Sequence, residues 1–211
     1  MRKADSSNLP TFDLEASEIC LGRDVIAGVD EAGRGPWAGP VVAAAVILDP
    51  QRIPEGIADS KQLDPVTRAA VFDRILANAD VGVATADVTR IDRDNILSAT
   101  LWAMTQAVML LSRPPRLAII DGNRVPHLTC ETRPIVRGDA RCLSIAAASI
   151  VAKVTRDRLM VALARRYPGY GFERHKGYGT PEHRRALAEL GVTPEHRRSF
   201  RPVQLALGLV D

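Results

Sequence analysis

The chain has 211 residues, 46% hydrophobic and 25% charged, which suits one domain, or one domain with a helical appendage, of ordinary soluble globular composition. No apolar run reaches transmembrane length, and the opening MRKADSSNLP lacks the apolar core of a signal peptide, so the cytoplasm is the expected location. Three widely spaced cysteines, Cys20, Cys130 and Cys142, form neither a CxxC zinc pattern nor a disulfide framework, and reduced, non-catalytic thiols are expected.

Net charge is only +3, but it is unevenly placed. Residues 156–201 carry 11 Lys/Arg against 5 Asp/Glu, whereas residues 1–155 carry 17 against 19. Three of the four histidines, His175, His183 and His196, also fall in the basic block. A basic C-terminal segment beside an acid-containing core fits a polyanion laid across a metal site; a pair of solvated amphipathic helices would give the same charge pattern.

In chain order, residues 1–22 read as a loosely held polar arm with Phe12 and Leu14 as anchors. Val25–Val29 has the length and character of a buried strand, and Asp30 and Glu31 stand where it stops. Successive strand residues face opposite sides, so the two acids can serve one site only if the strand ends or bulges there. Gly33, Gly35 and Gly39, with Pro36 and Pro40, then break the chain into tight turns around Arg34. Bare backbone on both sides of a guanidinium lets a sugar-phosphate chain come close to main-chain amides. Taken alone, an Asp-Glu pair before glycine also suits a charged turn. Val41–Leu48 follows as a second strand, returning antiparallel to the first.

The tripeptide Asp59-Ser60-Lys61 precedes a helix opened by Asp64-Pro65, a place suited to phosphate or simply to capping. Val66, Ala69, Phe72 and Leu76 recur at helical spacing and are expected to be its buried face. A strand over 80–88 is followed by the longest helical pattern, 91–111, which Ser112-Arg113-Pro114-Pro115 terminates. Trp102 and Met104 read as core or helix-surface residues. Leu117–Ile120 is a short buried strand ending in Asp121-Gly122-Asn123, a second carboxylate at the end of an apolar strand. A further strand over 133–137 leads to Asp139, just before an alanine-rich helix running from Leu143, where the helix dipole favours an anion. Ala146, Ala147, Ala148 and Ser149 allow close approach to a sheet or a nucleic-acid backbone. Residues 167–181 form a Gly/Tyr loop in which Tyr178, beside His175 and Lys176, can stack on a sugar or base while the cations hold phosphate. A final helix, 181–190, and an apolar tail, 203–210, close the chain.

Asp30, Glu31, Asp121 and Asp139 are four carboxylates from three segments, all at element ends. Oxygen ligands without a competing Cys/His cluster suit Mg2+ or Mn2+, and two such ions could activate water and stabilise a departing oxygen in phosphodiester hydrolysis.

The string DEAGRGPWAGPV resembles the signature of the type 2 ribonucleases H, and of ribonuclease HII in particular. DSKQL, NILSAT at Asn95–Thr100, DGN, GDARCLSIAAASIVAKVTRD, HKGYGT and SFRPV follow in the family order, so that the resemblance covers most of residues 24–202. It implies an α/β fold, an RNase H-like mixed β-sheet flanked by helices with a C-terminal helical segment. The implied division is an arm over 1–22, a catalytic core over 23–166 and a basic helical segment over 167–211 that completes the same domain.

The resemblance also implies that Asp30, Glu31, Asp121 and Asp139 are the catalytic, metal-binding acids. Gly33, Arg34 and Gly35 match the loop that senses the ribose 2′-hydroxyl, Tyr178 the tyrosine stacking near the scissile junction, and Lys61 and Lys153 resemble substrate contacts. Trp37 departs from a smaller apolar residue, neutrally. The implied activity is metal-dependent endonucleolytic cleavage of RNA in RNA–DNA hybrids and at single ribonucleotides embedded in duplex DNA, leaving 5′-phosphate and 3′-hydroxyl ends, by a monomer with two ions once substrate is bound. The rivals are a ribonuclease HIII-type nuclease, for whose N-terminal domain the short arm is expected to leave no room, a non-catalytic nucleic-acid-binding protein on the same scaffold, and a small-molecule metal phosphohydrolase.

Overall fold

The computed structural model describes residues 9–210. In chain order its elements are α1 (Asp13–Cys20), β1 (Ile26–Ala32), β2 (Val41–Leu48), α2 (Pro65–Asn78), β3 (Ala79–Ala86), α3 (Val88–Asp94) and α4 (Ile96–Met109). There follow β4 (Leu117–Asp121), β5 (Glu131–Ile135), a 3₁₀ turn (Gly138–Ala140), α5 (Leu143–Arg166), α6 (Phe172–His175), α7 (Pro181–Leu190) and α8 (Arg201–Ala206). The five strands form one mixed sheet in the order β3-β2-β1-β4-β5. The first two strands are the expected antiparallel pair, with Asp30 opposite Ala44 and Glu31 opposite Ala43, while β4 joins β1 in parallel.

Strand alternation sorts the apolar residues onto two faces. Ala27, Val29, Ala43 and Ala45 pack with Ala99, Ala103 and Ala107 of α4 on one side. Val42, Ala44 and Val46 pack with Phe72 and Ile75 of α2 and Ala147, Ile150 and Val151 of α5 on the other. Small residues let each helix lie close to the sheet. A Cβ added at Gly28 would stand 2.2 Å from the carbonyl carbon of Ser144, and one at Gly82 would stand 2.0 Å from the carbonyl oxygen of Ala107. The Ala146–Ser149 run therefore serves contact with the sheet.

Several expectations are corrected. The arm is helical over Asp13–Cys20, and its buried Glu15 accepts hydrogen bonds from Ser144 N (2.9 Å) and Ser144 Oγ (2.7 Å), supplying a cap to the first turn of α5. Residues 1–8 of that arm lie outside the described residues. Helix α2 starts as expected, with the Asp64 side chain accepting from Val66 N and Thr67 N, but Val71, Phe72 and Ile75 are its buried residues and Val66 and Leu76 are exposed. Strand β3 stops at Ala86 because Asp87 caps a new helix by accepting from Arg90 N. The long helical pattern divides at Asn95, whose φ of 67° breaks the helix and whose side chain caps α4 through Leu97 N and Ser98 N. Strand β5 lies two residues earlier than expected. Helix α7 is not the last, and of the apolar tail Val203 is buried whereas Leu205, Leu209 and Val210 are exposed.

Candidate active site

The parallel pair β1 and β4 ends with its acids side by side. Asp30 and Glu31 lie in regular register in β1, which ends one residue later at Ala32, so of the two ways expected for them to share a site, a strand end or a bulge, the strand end is found. Alternation sends Asp30 toward α5, where Ser149 lines the same cavity, and Glu31 toward α4. Both still reach one cavity of about 320 Å³ at the strand ends, together with Asp121 and Asp139. Asp121 closes β4 and accepts from Gly138 N at 2.7 Å, which ties it to the 3₁₀ turn carrying Asp139. The four acids, from three segments, thus line one pocket.

The electrostatics of the pocket are unbalanced. Burial pushes the Asp30 carboxyl well above the usual range, and the neighbouring Glu31 and Asp121 push it further. Burial also raises Glu31, against the lowering effect of Arg34, whose Nη1 lies 3.4 Å from Glu31 Oε1. Asp121 is raised by burial, partly offset by the Gly138 N–H, and raised again by Asp139. Lys61 Nζ donates to Asp139 Oδ2 at 3.0 Å, and this contact raises the lysine.

Carboxyl oxygens crowded in this way are hard ligands that a dication would stabilise in their charged form, so the donor set fits Mg2+ or Mn2+. No three His, Cys, Asp or Glu side chains among the described residues close into a ready-made cage.

The other expected residues gather at the rim. Gly33, Lys61, Lys153 and Tyr178 line the same cavity. Gly35 lies beside the Tyr178 ring, since a Cβ there would be 3.6 Å from Cε1. Arg34 borders a smaller adjoining cavity with Glu31, Asp121 and Asn123. Lys153 Nζ pairs with Asp157 Oδ1 at 2.7 Å and contacts none of the four acids.

Ser60, Ser149 and Arg156 also line the cavity and were not singled out as site residues. Ser60 Oγ and Ser149 Oγ share a 2.8 Å hydrogen bond that joins the DSK loop to α5. The signal was the spacing of Ser149, Lys153 and Arg156, which places three polar side chains on one stripe of α5.

The histidines of the basic block take another part than phosphate contact: His183 and His196 are fully buried and His175 nearly so. Thr193 N donates to His196 Nδ1 (3.0 Å), so His196 Nε2–H donates to His183 Nε2 (3.0 Å), and His183 Nδ1–H donates to the Tyr178 carbonyl (3.0 Å). Gly177 N likewise donates to His175 Nδ1 at 3.2 Å, leaving His175 Nε2–H for the Tyr170 carbonyl at 2.7 Å. The His196–His183 relay is complete with both of its rings neutral. Burial lowers His183, and it lowers His196 to about 4, with repulsion from His183 adding to the shift.

The family model for ribonuclease HII matches residues 27–203. The chain belongs to the ribonuclease HII family. It is 58% identical over 194 residues to the ribonuclease HII of Azorhizobium caulinodans, covering 92% of this chain and 75% of the relative. It is 55% identical to that of Ruegeria pomeroyi, covering 94% and 85%. Among solved structures, the ribonuclease H2 of Pyrococcus horikoshii OT3 superposes with a TM-score of 0.77 at 28% identity, covering 86% of this chain and 96% of the other. Bst-RNase HIII in complex with Mn2+ shares the fold, with a TM-score of 0.65 at 21% identity, covering 88% and 70%. As a ribonuclease HII this chain is a ribonuclease H endonuclease, on the mixed β-sheet flanked by helices that the resemblance implied, here of five strands. No helix among the described residues is long and apolar enough to cross a membrane.

Proposed function

We propose that this ribonuclease HII cuts the RNA strand of RNA–DNA hybrids, and nicks duplex DNA at single embedded ribonucleotides, at the cavity lined by Asp30, Glu31, Asp121 and Asp139. The single observation that carries this is the convergence of those four acids on one cavity, where burial and neighbouring carboxylates raise Asp30, Glu31 and Asp121, beside a glycine-flanked guanidinium and an exposed tyrosine. Asp30, Glu31, Asp121 and Asp139 would hold two Mg2+ or Mn2+ ions once substrate is bound, and these would supply activation of water and counter-charge for the departing 3′-oxygen.

The protein's own groups do the rest. The acids orient the scissile linkage, Lys61 and Lys153 neutralise phosphate, and Tyr178 offers its face to the sugar or base. Gly33 to Gly35 bring main-chain groups and Arg34 to the ribose, where the 2′-hydroxyl separates RNA from DNA. Products carry 5′-phosphate and 3′-hydroxyl ends. Residues 23–166 serve as the catalytic core and 167–211 complete it, in a monomer working in the cytoplasm. Sequence-independent affinity comes from the basic surface and weakens with salt.

The test is a labelled DNA duplex containing one ribonucleotide, incubated with protein and Mg2+ or Mn2+. Nicking at the ribonucleotide, none with chelator and none on all-DNA duplex are expected. Equal cutting of both duplexes, or cutting that survives chelation, would contradict the proposal.

A further inference from the structure

Two of the largest fully buried side chains are arginines, Arg156 and Arg197. No ion pair among the described residues includes either. A buried guanidinium without a carboxylate is costly unless its hydrogens find other acceptors. Here those acceptors are main-chain carbonyls. Arg197 donates from Nη2 to Gly33 O (2.6 Å) and Gly39 O (2.8 Å), from Nη1 to Arg34 O (2.9 Å), and from Nε to Gly39 O (3.0 Å). Arg156 donates from Nε to Pro40 O (2.9 Å), from Nη2 to Ala38 O (3.2 Å) and from Nη1 to Lys176 O (3.0 Å).

These acceptors are not scattered. Gly33 to Pro40 span the turn after β1, and Lys176 stands two residues before Tyr178. Main-chain bonds join the same segments: Trp37 N to Gly177 O (2.9 Å), Arg197 N to Trp37 O (2.8 Å) and Gly39 N to Glu195 O (2.8 Å). The turn is moulded on the arginines, since Gly33 has φ +98° and a Cβ there would stand 2.0 Å from Arg156 Nε. The planar fork of arginine reaches several carbonyls at once, which a lysine ammonium on a flexible stem does not.

We propose that Arg156 and Arg197 are positioning residues, a buried clamp that locks the Gly33–Gly35 turn and the Tyr178 loop into one rim of fixed spacing. This rests on the reading of those loops as the groups that judge the ribose. Neither arginine need touch the sugar; the clamp acts through the backbone it holds.

Trp37, inside the clamped turn, is a built-in reporter once Trp102 on α4 is replaced. In a Trp102→Phe background, Arg197→Lys keeps the charge and loses the fork. It is expected to shift Trp37 emission and increase its quenching by acrylamide while the circular dichroism spectrum stays parental. Nicking at saturating one-ribonucleotide duplex should fall roughly a hundredfold, the scale of an ångström of misplacement. Combined with Arg34→Ala, the losses should multiply to less than their product, because both act through one turn. Arg156→Lys is the second variant should Arg197→Lys not fold. An unchanged Trp37 signal, or the same fold-loss with and without Arg34, would overturn the clamp. Parental nicking by Arg34→Ala alone would instead remove the sugar-sensing reading, leaving the clamp to be decided on the Trp37 signal.

Discussion

Two polar interiors lie a short way apart in this chain and are built on opposite principles. At the ends of β1 and β4, Asp30, Glu31 and Asp121 line one cavity, and burial with repulsion from neighbouring carboxylates pushes each toward its neutral form. Beneath the Tyr178 loop, His175, His183 and His196 have both ring nitrogens paired, and the two buried arginines are spread over carbonyls. The second interior is complete as the chain alone makes it. The first is arranged for positive charge brought from outside, which is how a site for cations differs from a structural network.

The sharpest break between the two should come from activity. Asp121→Asn is expected to lower nicking of a one-ribonucleotide duplex by roughly a thousandfold or more, because each ion contributes several kcal/mol to transition-state stabilisation. Binding to the same duplex, measured by fluorescence anisotropy in the same buffer, should be retained. A parental nicking rate would remove Asp121 from the metal site.

Stability should be most sensitive in the other interior. His183→Leu leaves the Tyr178 carbonyl and His196 Nε2–H without partners, at about 1–3 kcal/mol for each orphaned group, read as a lower urea midpoint. Loss of less than 1 kcal/mol would mean that the relay is not holding this corner.

The two interiors should also titrate in opposite senses. His183 and His196 have lowered values in the fold, so their contribution is present above 6.5 and is lost as pH falls from there toward about 4, where His196 protonates. The slope is up to about 1.4 kcal/mol per pH unit for each ring. Chemical denaturation at several pH values should show this limb flattened in His196→Gln. The acids have raised values, so their contribution is present below the ordinary 3.8 to 4.5 and is lost as pH rises through the folded values. Metal-free Asp30→Asn should therefore melt higher than the parent at neutral pH while losing nicking, by roughly 2–4 °C per kcal/mol of relieved repulsion. Added Mg2+ should narrow the difference, and a lower melting temperature in Asp30→Asn would contradict the repulsive picture.

The difference between the interiors also explains what could be read before the fold was known. An acid at the end of an apolar run followed by glycine is a local pattern, and it pointed to Asp30 and Asp121 directly. The hairpin and the α2 cap at Asp64 were legible for the same reason, through strand periodicity and capping chemistry, whereas the mixed sheet was implied by the family resemblance. Partners far apart in sequence left no local trace. His183 and His196 looked like members of a basic surface because only packing shows that neither meets solvent. Glu15 looked like part of a polar arm because its partner, Ser144, is 129 residues away. Arg156 and Arg197 were counted as charge, when their use is geometric. Asn95 misled in the opposite direction, since an apolar period continued across it while the backbone turned to positive φ.

The most direct test of the central claim is anomalous diffraction from crystals of the protein soaked in Mn2+. We expect Mn2+ peaks in the cavity, with coordinating oxygens from Asp30, Glu31, Asp121 or Asp139 at roughly 2.0–2.3 Å, and their loss in Asp30→Asn. Mn2+ bound only elsewhere on the surface, with the four carboxyl groups untouched at concentrations that support nicking, would contradict it.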